Sequence, residues 1–192
     1  MKLLVIVENK FKDVELAIPI TIFKTSKQFD VIDYYHPTLK TVTGSDSLVT
    51  INNIKNHINP NKYDFVFIPG GAGVQDLRKN KVSINIISEF KRLNKSIIAV
   101  CDAPNALKEN NIIDNEKFSS YPSSWSTEFR KDNYTKEINS ISDNLKFISG
   151  NSPYSSTKLA FDALEIFFGK EVALNTFKAY SGQPYINKIE YK

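Results

Sequence analysis

Apolar residues along this chain follow two rhythms, and their alternation predicts the fold. Leu3 to Val7, Phe65 to Ile68 and Ser96 to Val100 are short, almost wholly apolar runs, the pattern of parallel strands covered on both faces. Elsewhere the spacing becomes helical. Val14, Ile18 and Ile22, with Ala17 and Phe23 beside them, predict an amphipathic helix running to about Thr25. Val82, Ile86, Ile87 and Phe90, extended by Leu93, predict a second helical face. Phe29 to Tyr35 reads as a further strand, and Leu39 to Val42 with Leu48 to Ile51 as a short hairpin around Gly44 and Asp46. From Glu109 to Asn144 the pattern loosens into Ser, Asn, Asp and Lys. Leu145 to Ser149 then predicts a strand, Gly150 to Tyr154 a turn, and Ser155 or Ser156 the cap of a helix carrying Leu159, Ala163, Ile166 and Phe167. Gly169 stops that helix, and Glu171 to Lys178 forms a last one before a polar tail. Strands and helices in alternation predict an α/β fold, a doubly wound and mostly parallel sheet with helices on both faces, as one domain over residues 1–192.

Three places interrupt the pattern and carry the candidate chemistry. The Ser96 strand runs straight into Cys101, followed by Asp102, Ala103, Pro104 and a helix-compatible start, which predicts a sharp strand-to-helix elbow. A thiol there stands at the carboxyl edge of the sheet, where the N–H groups of a helix start favour a thiolate. Pro19 falls inside the first predicted helix and aims the segment from Glu15 to Pro19 at a particular target. The Phe65 strand ends in Pro69-Gly70-Gly71-Ala72-Gly73, which has neither the G-x-G-x-x-G spacing nor a G-K-[ST] ending. Close backbone approach at the sheet edge is the simpler use of those glycines than phosphate binding.

Composition narrows the classes. With 192 residues and 41% hydrophobic content, one sizeable core is expected. A single cysteine rules out an intrachain disulfide and a Cys-based zinc cluster, so the thiol packs or reacts. The net charge of +4 comes from dispersed lysines with acids interspersed, unlike the concentrated basic element of a nucleic-acid binder. The apolar run at Leu3 to Val7 is too short for a signal-peptide core, and no stretch approaches a membrane span. A soluble, cytoplasmic protein without nucleic-acid or membrane partners is expected.

Glu15 four residues before Pro19 in ELAIP, DFVFIPGG ending at Gly71, AVCDAPNAL at the elbow, Tyr121-Pro122 and SPYSSTKLAFDALEIFFGKEVA together resemble the ThiJ/PfpI (DJ-one) superfamily, nearly end to end. The resemblance implies a flavodoxin-like sandwich and a homodimer. It makes Cys101 the reactive thiol, Glu15 the carboxyl beside it, and the backbone N–H groups of Gly71 and Asp102 an oxyanion pocket, with no cofactor or metal. Two anions at close range are unfavourable, so Glu15 is expected to stay protonated beside a thiolate. The chain departs from the family's active members in lacking a histidine near the thiol: Asp102 follows it, and Tyr121 stands at the later position as a substrate-orienting hydroxyl. His36 and His57 both precede the elbow and are expected at the surface or in loops. An inward Asp102 side chain would raise the thiol's pKa, and one turned towards a partner subunit would not. Trp125 is expected in packing or a dimer contact. The implied function is a cysteine-dependent enzyme acting on small reactive carbonyls or their adducts, of the glyoxalase or deglycase type. The alternative is a non-enzymatic redox sensor or stress-protective chaperone working through Cys101 oxidation, and an amidase or peptidase ranks below both.

Overall fold

The computed structural model describes residues 1–191. Its central sheet has seven strands: β1 (Lys2–Ile6), β2 (Val31–Tyr35), β5 (Ile54–Lys55), β6 (Phe65–Ile68), β7 (Ser96–Val100), β8 (Asn139–Ile141) and β9 (Phe147–Gly150). Their order across the sheet is β5-β2-β1-β6-β7-β9-β8, and every neighbouring pair is parallel except β8 with β9. A separate antiparallel pair, β3 (Val42–Thr43) and β4 (Thr50–Ile51), forms the hairpin. The helices are α1 (Asp13–Ser26), α2 (Val74–Leu77), α3 (Lys81–Arg92), α4 (Ala103–Glu109), α5 (Ser156–Phe168) and α6 (Lys170–Ser181).

Alternation along the strands divides the core into two layers. Leu3, Val5, Phe65, Phe67, Ile98 and Val100 pack on one side with Leu16 and Phe23 of α1, Leu159 and Phe161 of α5, and Ala173 of α6. Leu4, Ile6, Val66, Ile68, Ile97 and Ala99 pack on the other with Ile84, Ile87 and Phe90 of α3 and Ala106 and Leu107 of α4. This is the flavodoxin-like α/β architecture, with the apolar runs at its centre.

Departures from the expected elements have local causes. Strand β2 starts at Val31 because Phe29 leaves the sheet to pack among Phe23, Phe65 and Phe168, with ring centroids 5.2–5.4 Å apart. On α3 the buried apolar face is Ile84, Ile87 and Phe90, while Val82 is 54% exposed and Ile86 only partly buried. Leu145 sits in a turn at φ 57° and β9 begins at Phe147. The edge strands β5 and β8 are two and three residues long and too polar to stand out in the sequence.

Candidate active site

The elbow is built as the sequence predicts. Cys101 takes φ 62°, a left-handed conformation that costs a residue with a side chain free energy unless its surroundings hold it. Here the Cys101 N–H donates to Gly150 O at 2.8 Å, and the Cys101 carbonyl accepts from the Tyr121 N–H at 2.8 Å. Helix α4 starts two residues later with Pro104 in its first turn, where the missing N–H is no loss. The turn carries the thiol to the carboxyl edge of the sheet, 9% exposed.

Glu15 reaches the same place from α1, with Pro19 one turn further along. Its side chain is completely buried. The glycine loop brings the two elements together: Lys12 N–H donates to Gly70 O at 2.9 Å, and Gly73 N–H to Lys10 O at 3.0 Å. Gly71 has φ 103°, and a Cβ there would run into the backbone at Phe11 and Lys12. A Cβ on Gly70 would lie 2.5 Å from both Cys101 Cβ and Glu15 Oε2, so the absence of a side chain at Gly70 is what lets thiol and carboxyl meet.

Neither Glu15 oxygen has a well-aligned hydrogen bond, although the Cys101 thiol and the Gly70 backbone are its nearest polar neighbours. Burial therefore dominates and lifts the carboxyl to about 7, against the opposing pull of the thiol, Gly70 and Lys12. Burial also pushes the Cys101 thiol up, and the Glu15 charge adds to it; the backbone N–H groups of Gly71 and Asp102 pull the other way without prevailing. Both effects work against the thiolate expected from the helix start. The reason is physical: a seven-residue helix offers a weak dipole, and desolvation next to a carboxylate outweighs it. The pair titrates as a unit, with Glu15 losing its proton first.

The Asp102 side chain is held by Arg78, Asn105, Ser123 and Trp125. It lies 4% exposed in a network that the sequence did not signal. Arg78 Nη1 stands 2.8 Å from Asp102 Oδ2, close enough for an ion pair but poorly aligned for a hydrogen bond. Asn105 Nδ2 donates to Oδ1 at 2.8 Å, Ser123 Oγ to Oδ1 at 3.1 Å and Trp125 Nε1 to Oδ2 at 3.1 Å. Burial acts to raise this carboxyl, but Arg78 and then Asn105 hold it below the usual range. Arg78 also donates from Nε to Glu109 Oε2 at 2.6 Å, so one guanidinium bridges two carboxylates.

A cavity of about 570 Å³ opens over the thiol. Its walls are Gly71, Ala72 and Gln75 on the glycine-loop side and Asp102, Tyr121 and Trp125 on the other. Tyr121 and Trp125 are 44% and 57% exposed, so Trp125 faces the cavity mouth rather than a packed interior.

His57 is exposed, as expected. His36 lies in a loop but is buried: its ring Nδ1 accepts from the Thr38 and Leu39 N–H groups, which leaves Nε2–H for Glu8 Oε2 at 2.9 Å. It has no part in the Cys101 cavity. Among the described residues no three His, Cys, Asp or Glu side chains converge as a metal site requires. No helix among them is long and apolar enough to cross a membrane.

A parallel α/β sheet with a strained cysteine at its carboxyl edge, a buried glutamate beside it and a glycine loop between them defines a class of cysteine-elbow proteins. The DJ-1/PfpI family profile matches residues 1–166, and the chain belongs to that family. Among curated proteins it is similar to an uncharacterized protein of Mycoplasma genitalium, 38% identical over 63% of this chain and 66% of that one. It also resembles a protein of Pyrococcus horikoshii named a deglycase, 27% identical over 64% of this chain and 73% of that one. Among solved structures, oxidized DJ-1 of Toxoplasma gondii superposes with a TM-score of 0.82 at 21% identity, covering 94% of this chain and 97% of that one, which shows the fold.

Proposed function

We propose that the protein is a cysteine-dependent enzyme acting on small reactive carbonyls or their adducts on amines, of the glyoxalase or deglycase type. The observation that carries this reading is the Glu15–Cys101 pair: a carboxyl without solvent access that titrates near 7, beside a thiol held at a strained turn under an open cavity. A general base works best when its pKa lies near the working pH, so Glu15 supplies what a neighbouring histidine would otherwise provide. Relatives named deglycases in Pyrococcus furiosus and Escherichia coli support the same direction.

With an α-oxoaldehyde, the Glu15 carboxylate takes the thiol proton as Cys101 Sγ bonds to the aldehyde carbon and the carbonyl pair moves onto oxygen. The Gly71 and Asp102 N–H groups receive that oxyanion, which then takes the proton back from Glu15 to give a hemithioacetal. Glu15 next takes the hydrogen on the sulfur-bearing carbon as a proton, giving an enediolate; the hydroxyl proton of that carbon passes to the neighbouring oxygen, and Glu15 returns its proton to the former carbonyl carbon, leaving a 2-hydroxy thioester. Water cleaves the thioester to the 2-hydroxy acid and restores the thiol. The sum is aldehyde plus water giving acid, with no outside oxidant. Tyr121 orients the substrate from the cavity wall.

The redox-sensor reading ranks second, because oxidation starts from the thiolate and burial keeps this sulfur protonated. The test is lactate formation from methylglyoxal by the wild type, Cys101→Ser and Glu15→Gln. Wild-type turnover well above both variants is expected, and turnover equal to Cys101→Ser overturns the reading.

A further inference from the structure

The cavity over Cys101 is far larger than a three-carbon dicarbonyl needs. Its volume of about 570 Å³ falls in the range that encloses a drug-sized ligand. Two aromatic side chains frame its mouth, Tyr121 and Trp125, and neither ring stacks on another aromatic ring. Exposed rings are normally mobile, but the Trp125 ring is tied to the elbow: its indole N–H donates to Asp102 Oδ2 at 3.1 Å. The Tyr121 backbone N–H donates to Cys101 O at 2.8 Å, which fixes the stretch of chain that carries the second ring.

Charge sharpens the picture. Among the described lining residues the one ionised side chain is Asp102, and its carboxylate is already taken up by Arg78, Asn105, Ser123 and Trp125. Arg78 is shared with Glu109, so this wall holds two carboxylates for one guanidinium. Among the described residues no lysine or arginine lines the cavity to receive an anion. A guest carrying a carboxylate or phosphate beyond the reacting centre would lose hydration without gaining a cationic partner.

We propose that this site, on the glyoxalase-type reading above, selects uncharged α-oxoaldehydes bearing an aromatic or bulky apolar group, with Trp125 and Tyr121 as the specificity-determining residues. The aldehyde carbon sits over Cys101, and the apolar group lies against the two rings at the mouth. Offset or edge-to-face contact with a fixed ring adds to the gain from taking the group out of water.

Two measurements test this separately from the reaction itself. In turnover, phenylglyoxal going to mandelate is compared with methylglyoxal going to lactate, each corrected for its uncatalysed rate. The wild type is expected to favour phenylglyoxal in kcat/KM by about tenfold or more, carried by KM, as burial and ring contact of this size imply. Trp125→Ala should bring the ratio close to one, and Trp125→Phe, which keeps a ring but loses the indole N–H, should lie between. In binding, the unreactive product amides mandelamide and lactamide are titrated against the fluorescence of Trp125, the only tryptophan in the chain. Mandelamide should bind about tenfold tighter than lactamide, and also tighter than the mandelate anion of the same shape. Equal binding of the two amides, or a turnover ratio unmoved by Trp125→Ala, overturns the selectivity. If mandelamide is preferred but neither aldehyde is turned over, the selectivity stands and the proposed reaction falls.

Discussion

Replacing Glu15 with glutamine exchanges an ionisable carboxyl for a neutral group of the same shape in a site closed to water. In the folded protein burial lifts this carboxyl to about 7, from an ordinary value of 4.5. Below 4.5 the folded and unfolded chains both hold the proton, and the group contributes nothing to the pH dependence. Between 4.5 and 7 the unfolded chain releases its proton while the folded one keeps it, so wild-type stability falls as pH rises; above 7 the penalty is complete. The gap from 4.5 to about 7, at about 1.4 kcal/mol per pH unit, amounts to ~3 kcal/mol. Glutamine carries no such penalty. Urea unfolding of both proteins under reducing conditions at pH 5, 6, 7 and 8, followed by far-UV circular dichroism, reads the difference. Across that range the variant should gain about 2–3 kcal/mol on the wild type, while losing activity. Parallel pH curves for the two proteins would refute the claim that Glu15 is held buried with a raised pKa.

Gly70→Ala places a methyl group between Cys101 and Glu15. It should cost about 1–3 kcal/mol by overpacking and, by separating the pair, cut turnover about 100-fold, read by thermal melting and lactate formation. Arg78→Leu leaves the buried Asp102 and the partly buried Glu109 without their shared cation. It should destabilise by about 3–5 kcal/mol, and a urea midpoint unchanged from wild type would contradict the network. Asp13 is buried and accepts the N–H groups of Asp46, Leu48 and Val49 at 2.7, 3.0 and 2.8 Å; against burial, these bonds hold its carboxyl below the usual range. Asp13→Ala should cost about 2–3 kcal/mol at neutral pH, and the difference from wild type should shrink as acid protonates the native carboxylate.

The central strands were legible because a strand covered on both faces has to be apolar throughout, and β1, β6 and β7 are. The elbow was legible for a related reason: a cysteine directly after such a strand and just before a proline-marked helix start has few other places to stand. Pro19 marked the segment that carries Glu15 as unusual, and the family resemblance singled out the glutamate itself. Arg78 was not, because nothing about an arginine in a polar segment announces that it will meet Asp102, and the contact depends on how α2 packs beside α4. His36 was missed in the same way, since its burial comes from Glu8, Thr38 and Leu39 closing around the ring. The helix-start effect on the thiol can be read from sequence order, whereas the desolvation that opposes it depends on what covers the site. Strands β5 and β8 were missed because an edge strand of two or three residues with a single isoleucine carries no periodicity.

The account rests on Glu15 serving as the base for Cys101, and the pH dependence of kcat/KM for conversion of methylglyoxal to lactate tests this most directly. Since Glu15 must be ionised to take the thiol proton, the wild-type rate should rise with pH and level off with an inflection near 7, where its carboxyl titrates. The rise should vanish with Glu15→Gln, and activity altogether with Cys101→Ser. A wild-type profile flat between pH 5.5 and 8.5, or an inflection that survives Glu15→Gln, would contradict it.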